Sequence, residues 1–88
     1  MLKQYLEIGK IVSTQGLNGE VRVEPWCDSP EFLCSFKMLY FNEGKERINV
    51  VCGRKHKRIS ILKIENINSI EEAEKLRGKI LYVNRDDV

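Results

Sequence analysis

Gly16 and Gly19 stand three residues apart between two stretches that both read as β-strand. Ile8, Ile11 and Val12 are apolar and strand-prone on one side. On the other, Val21 and Val23 alternate with Glu20, Arg22 and Glu24, the period of a half-buried strand. The tetrapeptide Gly16-Leu17-Asn18-Gly19 between them gives the backbone access to the positive φ angles that a tight connection demands. Strand, glycine turn and strand together commit the start of the chain to an antiparallel pair. Leu17 is the unusual member, since turns are mostly polar. An apolar residue at a loop tip needs a pocket, either in this chain or in a partner.

The remaining pattern is also mostly strand. The first two strands are expected over about residues 5–14 and 20–27. Asp28 or Ser29 can then cap a short helix opening at Pro30, with Phe32, Leu33 and Phe36 on its buried side. Residues 38–41 form a short apolar strand, followed by a turn at Asn42-Glu43-Gly44-Lys45. A further strand pair spans 47–54 and 59–66, joined through Gly53-Arg54-Lys55-His56-Lys57-Arg58. Ile48 and Val50 share one face of the former; Ile59, Ile61 and Ile64 supply the core from the latter, with Leu62 at a bulge. The clearest helix covers 70–76: Ser69 with Glu72 forms a capping box, acids fill the first turn, and Gly78 terminates it. Ile70, Ala73 and Leu76 recur at helical spacing and are expected to face the core. A last strand covers 80–83, and Asn84-Arg85-Asp86-Asp87 is a polar exit. Six short strands with one capped helix imply an all-β fold, a small, mainly antiparallel barrel whose closure hides the strand edges.

Eighty-eight residues make one domain with a modest core. Fifteen basic and thirteen acidic residues leave a net charge of +2, so any basic surface has to come from local clustering. No apolar stretch is long enough for a membrane span, and charges arrive too early for a signal peptide, which points to the cytoplasm. Cys27, Cys34 and Cys52 are odd in number and read as free thiols buried as small apolar groups. Together with His56 they could supply four metal ligands, but no Cys-x-x-Cys knuckle is present, so the reading is no metal and no cofactor. Catalytic patterns are missing too: His56 is flanked by cations, and Ser13, Ser29, Ser35 and Ser60 lack a nucleophile motif. The reading is a binding domain rather than an enzyme.

Two groups of residues resemble a known family. Gly9, Lys10, Ile11, Thr14, Gly16, Leu17, Gly19, Glu20 and Val21 match the opening pattern of the RimM family of ribosome maturation factors. Glu72, Ala73, Glu74, Leu76, Arg77, Gly78, Leu81, Tyr82 and Val83 are similar to a second element of that family, in the same order and at about the same spacing. The resemblance implies a six-stranded, translation-factor-like N-terminal barrel over residues 1–84. Residues 85–88 would then begin a linker to a second, PRC-type barrel. It also implies a non-enzymatic role in assembling the small (30S) ribosomal subunit: binding the head of the immature subunit, assisting 16S rRNA processing, and associating with small-subunit ribosomal protein nineteen, mainly through the second domain.

The candidate contact residues are read from the chain itself. Arg54, Lys55, Lys57 and Arg58 place four cations within five residues, expected at a hairpin tip. They are either a solvated turn or a phosphate-binding site; with Arg22 they would form a continuous basic face. Leu17 and its loop form a second candidate, while Glu20 after Gly19 argues against a phosphate loop there. Gly9, Gly16, Gly19, Glu20 and Gly78 carry structural roles. Trp26 is expected in the core, although tryptophan also serves interfaces. The alternatives are a scaffold barrel that acts only by packing on the second domain, and a translation-factor-like barrel that binds tRNA.

Overall fold

A computed structural model describes residues 3–27 and 29–87, apart from the side chain of Pro30. The expected cap Asp28 lies outside the described residues. The elements are β1 (Tyr5–Gln15), β2 (Glu20–Pro25), α1 (Pro30–Cys34), β3 (Met38–Phe41), β4 (Glu46–His56), β5 (Ile59–Ile64), α2 (Ile70–Glu74) and β6 (Ile80–Asn84). The strands close into a barrel in the order β1-β2-β5-β4-β3-β6, and every described pairing is antiparallel. The fold class read from the sequence is therefore the one observed, with α1 as a second short helix. Among the described residues no helix is long and apolar enough to cross a membrane.

β1 is the hub of the ring. It pairs with β2 along one edge and β6 along the other, with register irregularities between Ile11 and Ser13 and between Glu7 and Gly9. Such bulges sharpen strand twist, which helps a sheet of only six strands to close. Gly9 sits beside the second irregularity for a packing reason: a Cβ there would lie 2.8 Å from the Glu24 carbonyl oxygen and 2.9 Å from Leu33 Cδ1. Its missing side chain lets Leu33 of α1 plug one end of the core. Ser29 caps that helix, its hydroxyl accepting from the Phe32 amide at 3.1 Å. Around Leu33 the buried set includes Ile11, Val21, Val23, Leu39, Leu62 and Leu81.

The glycines of the first turn do different work. Gly16 has φ +68° with open space around it, whereas a Cβ on Gly19 (φ +88°) would strike the Ile67 carbonyl oxygen at 2.5 Å. Gly19 is thus a close approach as well as a turn residue, tying the β1–β2 loop to the segment before α2. The capping box of α2 forms with one change from expectation. The Ser69 hydroxyl accepts from the Glu72 amide at 3.2 Å, but the Glu72 carboxylate takes its reciprocal backbone bond from Asn68. Regular α-helix ends at Glu74, and the chain turns on to Gly78 (φ +89°), whose N–H donates to the Ile11 carbonyl at 2.7 Å. Residues 85–87 make one short 3-10 turn, held by the Arg85 amide on the Gln4 carbonyl at 2.7 Å.

Several expectations need correction. β2 ends at Pro25, before Cys27. Phe32 and Ile70 are 42% and 41% exposed rather than buried, because both helices last only five residues and each turns one small face inward: Leu33 in α1, Ala73 in α2. Trp26 is 45% exposed, placed past the end of β2, with its indole N–H on Glu24 at 3.0 Å. Cys52 is exposed; Cys27 and Cys34 pack partly against the core. In β5 Ile64 joins the core as expected and Ile61 is buried, but Ser60 and Leu62 pair with Val23 and Val21 and face inward, while Ile61 pairs with Arg22 on the other side of the sheet. The alternation of Ile59, Ser60 and Ile61 points the wrong way because the inward position is filled by a polar residue, Ser60. The bulge expected at Leu62 lies instead in β4, between Val50 and Cys52.

On the outer face of β1–β6–β3, Glu7, Tyr82 and Tyr40 form a cross-strand row, with the rings of Tyr5 and Tyr40 edge-to-face at 5.0 Å. Burial, then the Glu7 and Glu43 carboxylates, raise the Tyr82 phenol above the ordinary tyrosine value. The unfolded chain therefore ionises first. The stabilising contribution is whole below the ordinary tyrosine value and is lost as pH rises through the folded value. A phenolate absorbance titration should show a step above the ordinary tyrosine value, and Tyr82→Phe should remove that step and soften the alkaline loss of stability. For the turn, Gly16→Ala should cost about 1–2 kcal/mol in urea unfolding, the penalty of a left-handed non-glycine residue. Gly19→Ala should cost at least about 1 kcal/mol more, because packed backbone must move; equal costs would discount the Ile67 contact.

Candidate nucleic-acid interface

The outer face of β2–β5–β4 carries a second cross-strand row, Arg22–Ile61–Arg54. Neighbouring strands lie about 4.8 Å apart, so the two arginine backbones are about 10 Å apart. Ile61 points away from the core yet is only 1% exposed. The groups that the register puts on either side of it are the arginines, whose aliphatic stems can lie along an apolar side chain while the guanidinium stays in water. Arg54 is steadied further by Glu20: its Nη2 lies 3.4 Å from Oε1, the two side chains being 55% and 24% exposed. An ion pair this open contributes at most about 1 kcal/mol, so Arg54 can exchange the carboxylate for another anion at little cost.

The four clustered cations do not form one patch. β4 runs on to His56 and pairs it with Ile59, so the turn is only Lys57-Arg58, and Lys57 takes φ +58°. Arg54 and Lys55 are strand residues on opposite sides of the pleat. Arg54 shares the outer face with Arg22, whereas Lys55 lies opposite inward-facing Ser60 and reaches Glu31 of α1, Nζ to Oε2 3.6 Å. The broad connection expected from residue 53 onward misplaces both. Lys57 and Arg58 are exposed at the tip. Arg22, Arg54, Lys57 and Arg58 thus occupy the outer face and its end, and Lys55 leaves the group.

Leu17 is 79% exposed, so the described residues provide no pocket for it. Its loop precedes Glu20, which pairs with Lys63, while the basic tip lies beyond the Val23–Ser60 pair. Loop and tip are therefore at opposite ends of β2. Trp26, beyond the far end of β2, lies toward the tip rather than the loop. No pattern in the sequence marks Trp26 as exposed, nor Ile61 as the floor between two arginines; both follow from register. Among the described residues no three His, Cys, Asp or Glu side chains are placed to hold a metal, and all three cysteines are free.

The chemistry available here is anion binding. Cations lie on a pleated surface, two of them on either side of a buried isoleucine in the cross-strand row, with an exposed indole toward one end. An electropositive surface of this kind contacts a phosphate backbone without reading sequence.

Comparison with known proteins agrees with the topology. The family model for the RimM N-terminal domain matches residues 6–88. A ribosome maturation factor RimM of Clostridioides difficile is 43% identical over 94% of this chain and 49% of that protein. One of Bacillus licheniformis is 37% identical over 100% of this chain and 53% of that protein. The chain spans about half the length of the curated relatives it matches. Among solved structures, a 16S ribosomal RNA processing protein RimM of Pseudomonas aeruginosa superposes with a TM-score of 0.84 at 28% identity, covering 96% of this chain and 52% of that one. The N-terminal domain of RimM from Thermus thermophilus superposes at 0.80 with 20% identity, covering 97% and 94%, and shares the fold. The match of the family model over nearly the whole chain, the 43% identity and the six-stranded ring place this chain in the RimM family, as its N-terminal domain.

Proposed function

We propose that this domain binds rRNA of the immature small ribosomal subunit, in the cytoplasm, and assists maturation by binding rather than by catalysis. The observation that carries the reading is the Arg22–Ile61–Arg54 row ending toward Lys57 and Arg58, in a chain whose relatives are named ribosome maturation factors. Such a factor favours one arrangement of rRNA and protein over others only by binding that arrangement more tightly. The resemblance points to the head of the subunit as the target and to small-subunit ribosomal protein nineteen as a protein partner, engaged mainly by a PRC-type second domain. A second reading has its own support. Leu17, 79% exposed at the end of the barrel away from the basic tip, fits a barrel that works by packing on its second domain.

Binding to immature small subunits across a salt series separates the two. Direct rRNA contact predicts that log affinity falls linearly with log salt, with a slope of about −0.7 to −0.9 per phosphate contacted. The pairs Arg22→Ala with Arg54→Ala, and Lys57→Ala with Arg58→Ala, should each flatten that slope, whereas Lys55→Ala should change it least. Loss of binding in Leu17→Ser with an unaltered slope in the charge variants would favour packing on a protein surface.

A further inference from the structure

The face opposite the basic row carries different chemistry. In the ring β6 stands across from β5, and Tyr82 at its centre has a cavity on each side. The first already contains a cation of the chain: Lys79, which lines it, places its Nζ 5.2 Å from the Phe41 ring centroid. The second, a cleft of about 760 Å³, lies between Tyr5 and Tyr82 and is lined also by Leu6, Glu7 and Glu43, with Lys3 as the one cationic residue among the described lining residues. Glu7 sits directly opposite Tyr82 across the β1–β6 pair. Glu43 belongs to a turn, Asn42–Gly44, whose three residues all have positive φ (52°, 58° and 99°), and it borders both cavities. A Cβ on Gly44 would fall within the Tyr5 ring, so the turn lies against the cleft wall. Among the described residues neither carboxylate has an ion pair or a hydrogen bond.

We propose that the cleft between Tyr5 and Tyr82 receives an arginine side chain from a protein partner, its guanidinium meeting the Glu7 and Glu43 carboxylates beside the Tyr82 ring. Charge complementarity selects the occupant, because the lining carries two carboxylates against one lysine. The aromatic wall selects guanidinium over ammonium. A planar, weakly hydrated guanidinium stacks on a phenol ring while pairing side-on with carboxylates, whereas a more strongly hydrated ammonium offers no plane to stack and binds such a site less well. Leu6, exposed at the cleft, adds an apolar edge for the methylene stem. A phosphate backbone is disfavoured on this face by both acids. The barrel would then hold rRNA on β2–β5–β4 and a protein on β1–β6–β3; only the first of these contacts rests on the function proposed above.

The test uses acetyl-Gly-Arg-Gly-amide, titrated into the 15N-labelled chain and followed by amide shifts, beside its Gln and Lys analogues and free arginine. Saturable shifts confined to residues 3–7, 43 and 82 are expected, weaker with Lys, absent with Gln, and weaker with free arginine, which lacks the flanking peptide groups of a protein partner. Glu7→Gln and Glu43→Gln should each weaken binding by about two- to five-fold, the scale of one exposed ion pair. Glu31→Gln, remote from the cleft, should not. Unsaturated or scattered shifts, equal response to the Gln peptide, binding indifferent to both acid variants, or free arginine binding as tightly as the peptide would overturn the proposal. The salt series on immature subunits tests the basic face separately, so failure of either reading leaves the other standing.

Discussion

The structure depends on every strand being paired along both edges. Two helices of five residues each cannot cover the sheet, so its strand edges are used up within the ring. β1 meets β2 on one side and β6 on the other, which brings the beginning and end of the described chain together. Closure across β3 and β6 rests on a single residue pair, Tyr40 with Tyr82, so the tyrosine face lies over the thinnest seam of the barrel. The edge-to-face packing of Tyr5 on Tyr40 and the fold-back of the Asn42–Gly44 turn reinforce that seam from outside. Aromatic contacts of this kind contribute about 0.5–1.5 kcal/mol beyond their buried area, a useful supplement where backbone pairing is sparse.

Closure also decides where function can sit. Side chains of alternating parity go to the core or to the outside, so the outer surface is built from rows across strands rather than from segments of sequence. Arg22 and Arg54 are thirty-two positions apart yet flank one isoleucine, while Arg54 and Lys55 are adjacent and part company. A barrel wall therefore breaks up a run of cations and assembles a patch from scattered ones.

That is also why some features are legible in the sequence and others are not. Local chemistry reads well: Ser29 and Ser69 cap the helices that they precede, and Gly16, Gly19 and Gly78 take positive φ where the chain turns. These depend on a few neighbouring residues. Phase and exposure depend on the whole ring. Ile59-Ser60-Ile61 alternates in the sense that would turn Ser60 outward, and only pairing with Val21 and Val23 sends Ser60 and Leu62 inward. Lys57-Arg58 is an unmarked hairpin turn, since the usual glycine or asparagine is missing and Lys57 adopts positive φ regardless. Helical spacing would turn Ile70 toward the core and an apolar helix face would do the same for Phe32, but helices of five residues have room for only one well-buried position each. For the candidate sites, the residue types were visible and the groupings were not.

Glu20 links the two kinds of information. It belongs to the opening motif, follows the close approach of Gly19 to Ile67, and ends at the guanidinium of Arg54. The rigid turn thus fixes the start of β2, and through Glu20 it biases where one cation of the basic face rests. Because the pair is open to solvent, its contribution to stability is small and falls further with salt. The same openness separates folding from binding at this position. The barrel does not need Arg54 to stand, since the closely packed core lies on the other side of the pleat. A change in anion affinity on altering Arg54 or Glu20 would therefore report on the surface itself, whereas the same change at Gly9 or Gly19 would be entangled with the ring that holds that surface in place.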